Sequence, residues 1–181
     1  MGKEGGERFE RYRLNEDAYI QMIQTSPCFI CRIVAGTYDE APIHILYEDA
    51  RSIAFLERWP RLYGWTLVAS REHREQVTGD FTPEEYVALQ HTVYRVAEAV
   101  RREVAADRVY LTSFGSNEAI AHVHWHIVPL PPGVPFREQQ LAVFRKGILK
   151  IPDDEMADLA TRLRQRISQR HENRASTYRA L

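Results

Sequence analysis

Cysteine is nearly absent. The 181 residues hold two, Cys28 and Cys31. Two cysteines cannot build a disulfide framework, and the C-x-x-C spacing points instead to metal or redox chemistry in a reduced chain. No apolar run approaches the ~20 residues of a membrane span. The segment Met1–Arg8 is polar and lacks the apolar stretch of a signal peptide, so the chain reads as cytoplasmic. Neither sign of charge is in excess: 24 Lys+Arg face 25 Asp+Glu, a net charge of −1. That balance removes the electrostatic basis for a nucleic-acid partner. Lysine is scarce too, with Lys3, Lys146 and Lys150 the only three, so arginine carries nearly all the positive charge. What remains is ordinary for a globular protein, and the length favours one domain with a self-sufficient core.

Punctuation along the chain predicts an α+β architecture. Residues 1–13 are charged and poor in apolar groups, which suits a flexible lead-in. Asn15 can cap a short helix whose apolar positions are Ala18, Tyr19, Met22 and Ile23, closed by Pro27. The run Cys28–Val34 then leads to a turn at Gly36. Three short β-rich runs follow, 44–48, 52–57 and 64–70, separated by turn chemistry, which predicts an antiparallel meander. Thr82-Pro83-Glu84-Glu85 is a capping box with proline at the first helical position. Behind it, Tyr86, Leu89, Val93, Val96, Ala97, Val100 and Val104 form one helical stripe. Two more strands are expected at 108–114 and 123–130. A final helix should run over about 154–170, with Met156, Leu159, Leu163 and Ile167 on one face. The proline-rich run Pro131–Phe136 either crosses a site mouth or acts as a rigid connector.

The segment His122-Val123-His124-Trp125-His126-Ile127-Val128 alternates with period two. As a strand it turns Val123, Trp125 and Ile127 to one face and the three histidines to the other. A half-exposed strand would be served as well by Thr, Ser or Lys, without grouping imidazoles. Two functional readings remain from the residues alone. Same-face histidines can share a metal that activates water. Alternatively, a neutral imidazole attacks phosphorus while its neighbours orient it and bind phosphate. The other histidines, His44, His91 and His171, read as surface residues.

This segment resembles the signature of the histidine triad (HIT) superfamily, in which three histidines alternate with apolar residues. The resemblance extends from about Cys28 to Leu130 through Tyr47-Glu48-Asp49, Ala54-Phe55-Leu56-Glu57 and Leu67-Val68-Ala69-Ser70-Arg71-Glu72-His73. It implies a five-stranded, mainly antiparallel HIT-like fold over residues 14–135, with a long packing helix; residues 136–181 lie beyond the shared part and read as a C-terminal helical extension packed on or beside the domain. It also implies a nucleotide hydrolase acting at an α-phosphate through a nucleotidyl-histidine. Dinucleoside polyphosphates and nucleoside phosphoramidates are the substrate classes, with a transferase or phosphorylase, or a nucleotide-binding module, as the alternatives. In family register His124 is the nucleophile, and His126 contacts the phosphoryl oxygens and assists the leaving group. The nucleoside pocket would be lined by Phe29, Ile30, Ile33, Phe55 and the acid Glu57, although Phe29, Ile30 and Phe55 could equally be core. Phosphate contacts fall to Ser116, Asn117 and Glu118. Glu118 stands where many relatives carry Gln, and an ionised carboxylate there repels phosphate. One branch of the superfamily binds a structural zinc; here its ligands would be Cys28, Cys31, His73 and His122. A redox pair, or two reduced buried thiols, is the other reading of the cysteines. Homodimers are common in the family and are expected here.

Overall fold

The computed structural model describes residues 8–116 and 119–178. Helix α1 (Glu16–Thr25) starts where expected, with the Asn15 side chain accepting from the Ala18 amide at 3.1 Å. Helix α2 (Phe29–Ala35) follows; its first-turn Cys31 amide lies 3.5 Å from Cys28 Sγ, and Gly36 ends it at φ +68°. At seven residues, α2 is too short to show a helical period in sequence, and only Ile30 and Ile33 in it are buried.

The sheet comprises β2 (Ile45–Glu48), β3 (Ser52–Leu56), β4 (Thr66–Ser70), β5 (Arg108–Thr112) and β6 (His124–Leu130). They are ordered β2-β3-β4-β6-β5, every pair antiparallel. The expected α+β architecture with a five-stranded antiparallel sheet is therefore present. Strand β6 begins at His124, so His122 sits at its entry rather than within it.

Both faces of the sheet are covered. Helix α3 (Pro83–Glu103) begins with the capping box formed in both directions, Glu85 N to Thr82 Oγ1 at 3.2 Å and Thr82 N to Glu85 Oε2 at 2.9 Å. Its stripe packs Val93, Val96 and Val100 against Ala54, Val68, Trp125 and Ile127. Each such valine stabilises the fold by roughly 1.5–3 kcal/mol through burial. Helix α4 (Asp153–Tyr178) adds Met156, Leu159, Leu163 and Ile167 to this layer and packs on α3 and β2. Ile30, Ile33, Phe55, Trp65, Leu67, Val128 and Leu130 form the opposite layer.

Residues 1–7 of the expected lead-in lie outside the described residues. Arg11 and Tyr12, at its end, form a strand, β1 (Arg11–Tyr12), paired antiparallel with β7 (Ile148–Leu149). Arg11 anchors it by donating to the Gly147 and Arg61 carbonyls at 2.5 and 2.9 Å. Among the described residues, no helix is long and apolar enough to cross a membrane.

Candidate active site and metal centre

Period-two geometry from Val123 into β6 puts Val123, Trp125 and Ile127 into the α3 layer and His124 and His126 on the other face, as predicted. His124 Nδ1 lies 2.7 Å from the His122 carbonyl oxygen. A carbonyl only accepts, so Nδ1 carries the proton and Nε2 keeps a free lone pair. Burial holds the ring below the usual imidazole range, which keeps it neutral at neutral pH. Ser113 Oγ donates to the His124 carbonyl at 2.8 Å and pins the strand beneath the ring.

His126 has the opposite tautomer. The indole N–H of Trp65 donates to its Nδ1 at 3.1 Å, so the ring's own proton sits on Nε2. Trp65, Phe114 and Phe144 surround the ring, with centroids 5.8, 6.0 and 6.3 Å away. That burial, helped by His124 and Arg61, pushes the His126 pKa down to about 3. The two rings lie 4.9 Å apart, one offering a lone pair and the other an N–H.

They stand in a cavity of about 740 Å³. Phe29, Phe55, Glu57 and Ser116 line it, together with His122, His124 and His126. Phe29 and Phe55 meet edge to face at 6.4 Å. Glu57 is anchored by the Trp59 amide, which donates to Oε1 at 3.0 Å. Burial raises the Glu57 pKa against the pull of that amide and of Arg61. Ile30 and Ile33 do not line the cavity; they point into the layer between α2 and the sheet and are core residues. Asn117 and Glu118 lie outside the described residues. The run Pro131–Phe136 does not reach the cavity, and Phe136 is exposed.

Several lining residues escape sequence reasoning. Tyr19, Met22 and Ile23 of α1 form one wall, and Tyr19 contacts Trp59 edge to face at 5.3 Å. The apolar face of α1, which the sequence leaves without a partner, is the signal that could have located this wall. Trp65 and Phe144 carry no local signal, because their contact with His126 is purely tertiary.

A second cluster adjoins the first. One ligand atom each from Cys28, Cys31, His73 and His122 lies within 4.8 Å of all the others. Cys28 and Cys31 Sγ are 3.4 and 3.5 Å from His122 Nδ1, and Cys31 Sγ is 3.3 Å from His73 Nδ1. A tetrahedral ion with sulfur arms of roughly 2.3 Å and nitrogen arms near 2.05 Å has an S···N edge of about 3.6 Å, so the donor set fits. Both imidazoles turn Nδ1 inward and donate Nε2–H outward, His122 to the Ser70 carbonyl at 2.8 Å and His73 to Glu75 at 3.1 Å. Such outer partners orient metal ligands. Burial and the neighbouring Cys28 push the Cys31 thiol up to about 11, so a cation is needed to hold it as thiolate.

Comparison with known proteins relates the chain to one family. The HIT domain family model matches residues 38–132. An uncharacterized HIT-like protein of Mycobacterium tuberculosis is 31% identical over 146 residues, covering 79% of this chain and 94% of that protein. The crystal structure of a Zn-bound histidine triad family protein from Mycobacterium smegmatis superposes with a TM-score of 0.62. It is 26% identical and covers 81% of this chain and 96% of that one. The adenosine 5'-monophosphoramidase hnt1 of Schizosaccharomyces pombe is 31% identical over 106 residues, 58% of this chain and 74% of that protein.

Proposed function

The chain belongs to the HIT domain family, and from that premise we propose that it hydrolyses nucleotide derivatives at the α-phosphate and releases a nucleoside monophosphate. Dinucleoside polyphosphates and nucleoside phosphoramidates are the substrate classes. One observation carries the reading: a neutral His124 whose Nε2 lone pair faces a cavity with an aromatic and acidic end. The Nε2 lone pair attacks the α-phosphorus. An N–P bond forms, and the bond to the leaving group breaks with its electron pair. Water then attacks the same phosphorus, the N–P bond breaks, and the proton of the water passes to solvent. His126 Nε2–H donates to a phosphoryl oxygen as charge builds there. Phe29 and Phe55 wall the base, Glu57 accepts from the ribose hydroxyls, and Ser116 flanks the phosphates. The phosphoramidase of Schizosaccharomyces pombe, a relative of this chain, supports this reaction class.

Cys28, Cys31, His73 and His122 would hold a zinc ion. All four positions are protein ligands, so the ion would supply a fixed anchor and no open site for chemistry. Residues 14–135 form the HIT domain in this reading, and the described residues 136–178 are an extension packed on it that brings Phe144 against His126. A homodimer fits the exposed edge strand β5, which carries Leu111.

The test is AMP release from diadenosine tetraphosphate and adenosine phosphoramidate by wild type and His124→Ala. Release by wild type and loss of at least 10³-fold in the variant is expected. Equal turnover by both proteins would sink the proposal.

A further inference from the structure

Resting on the hydrolase reading above, the geometry points to Trp65 as a positioning residue. It locks His126 as a neutral hydrogen-bond donor that cannot supply a proton to the leaving group, so the site favours substrates whose leaving group departs as a weakly basic anion, a polyphosphate rather than an amine.

The argument begins with the indole. Its ring nitrogen donates and never accepts. Trp65 sits immediately before β4, is 4% exposed, and points that N–H at His126 Nδ1 over 3.1 Å. A leaving-group acid needs imidazolium, with protons on both nitrogens. A proton on Nδ1 would face the indole N–H head on and leave it without an acceptor in a buried place. The rings of Trp65, Phe114 and Phe144 pack around His126 and leave it partly open to the cavity alone. His126 therefore holds one proton, on Nε2. If Nε2 gave that proton away, a strongly basic imidazolate would remain. His126 can share the proton in a hydrogen bond but cannot transfer it.

His124 cannot take over the task. Its Nδ1–H is spent on the His122 carbonyl, and its Nε2 is the attacking atom. When the N–P bond forms, the departing group keeps the bonding electron pair. A polyphosphate accommodates that pair as an anion of low basicity. An amine leaves only with a proton taken from solvent. The same phosphoryl contact thus serves both substrate classes, but only the weakly basic group leaves unaided.

Two measurements decide this on the full-length, metal-loaded protein. Long-range 1H–15N spectra should show His126 neutral at pH 7, with Nε2 protonated and Nδ1 bare. In Trp65→Phe, which keeps a ring against Phe144 but removes the N–H, the Nδ1 signal should shift towards exchange between tautomers. Imidazolium or an Nδ1–H form in wild type would overturn the inference, as would a signal that Trp65→Phe leaves in place. The second measurement is kcat/KM for AMP release from aryl esters of AMP with phenol pKa values from about 7 to about 10. Wild type should slow roughly tenfold or more across the series, whereas a flat series would overturn the leaving-group claim. Absence of AMP release from every ester would overturn the hydrolase reading and that claim together, while the spectra would still decide the tautomer.

Discussion

Removing the metal should disturb both stability and turnover, although none of its four ligands is the nucleophile. Cys31→Ser breaks the four-donor set at a residue that approaches both histidines, 3.3 Å from His73 and 3.5 Å from His122. The ligands come from the start of α2, the loop after β4 and the entry to β6, so an ion ties together three segments distant in sequence. Binding to the native state alone contributes RT ln(1 + [L]/Kd), about 4 kcal/mol at a thousandfold excess over Kd. For a chain of this size that corresponds to a loss of roughly 8–16 °C in Tm. Turnover follows through the backbone, because the carbonyl that orients His124 belongs to the ligand His122. A displacement near 1 Å at that carbonyl costs on the order of 10²-fold in kcat. The assay is differential scanning calorimetry and AMP release, with zinc, with a chelator, and in the variant. Chelation should lower Tm and kcat in wild type and leave Cys31→Ser unchanged. A wild type that keeps its Tm and its kcat after verified metal removal would refute the reasoning.

Three further outcomes follow from packing and charge. Leu163→Ala opens a cavity where α4 meets α3 and should cost about 3 kcal/mol in urea unfolding; less than 1 kcal/mol would show that α4 is not part of the same core. Glu57→Ala should weaken AMP binding by isothermal calorimetry roughly 10–100-fold, and unchanged affinity would remove Glu57 from the nucleoside site. Arg74 and the Thr82 amide hold the Glu85 carboxyl down to about 2, below its ordinary value. Its contribution is complete above the unfolded pKa near ~4.3 and is lost as pH falls towards about 2. Glu85→Gln should therefore flatten the acid limb of stability within that window, and an unaltered limb would count against the pairing.

Legibility in the sequence tracked the range of the interaction. Helix α3 was visible because Thr82, Pro83 and Glu85 act within one turn and its apolar stripe repeats over many. Strand β6 was visible because alternation is a local pattern, and the four metal donors because the resemblance supplied their register. Helix α2 was hidden: seven residues contain too few turns for a period, and its cap is a cysteine. Family register put Ile30 and Ile33 at the pocket wall, with core packing the other reading of Ile30, and the rotation of α2 turns both into the core. The β1–β7 pair consists of two residues on each side and joins positions far apart in the chain, below any propensity signal. Trp65 lies 61 positions from His126, and nothing near either one announces the bond between them.

A sheet covered on both sides separates two kinds of tolerance to change. From His122 to Ile127, odd positions answer to the α3 layer and even positions to the cavity. Substitutions at Val123, Trp125 and Ile127 should register as altered abundance of folded protein, while those at His124 and His126 should spare abundance and abolish turnover. Selection can thus rework the packing layer and the chemistry layer of one strand independently, residue by alternate residue. His122 is the exception, because its ring and its carbonyl serve different masters. A lineage could discard the ring, and with it the metal, while any replacement residue still presents the same main-chain oxygen to His124.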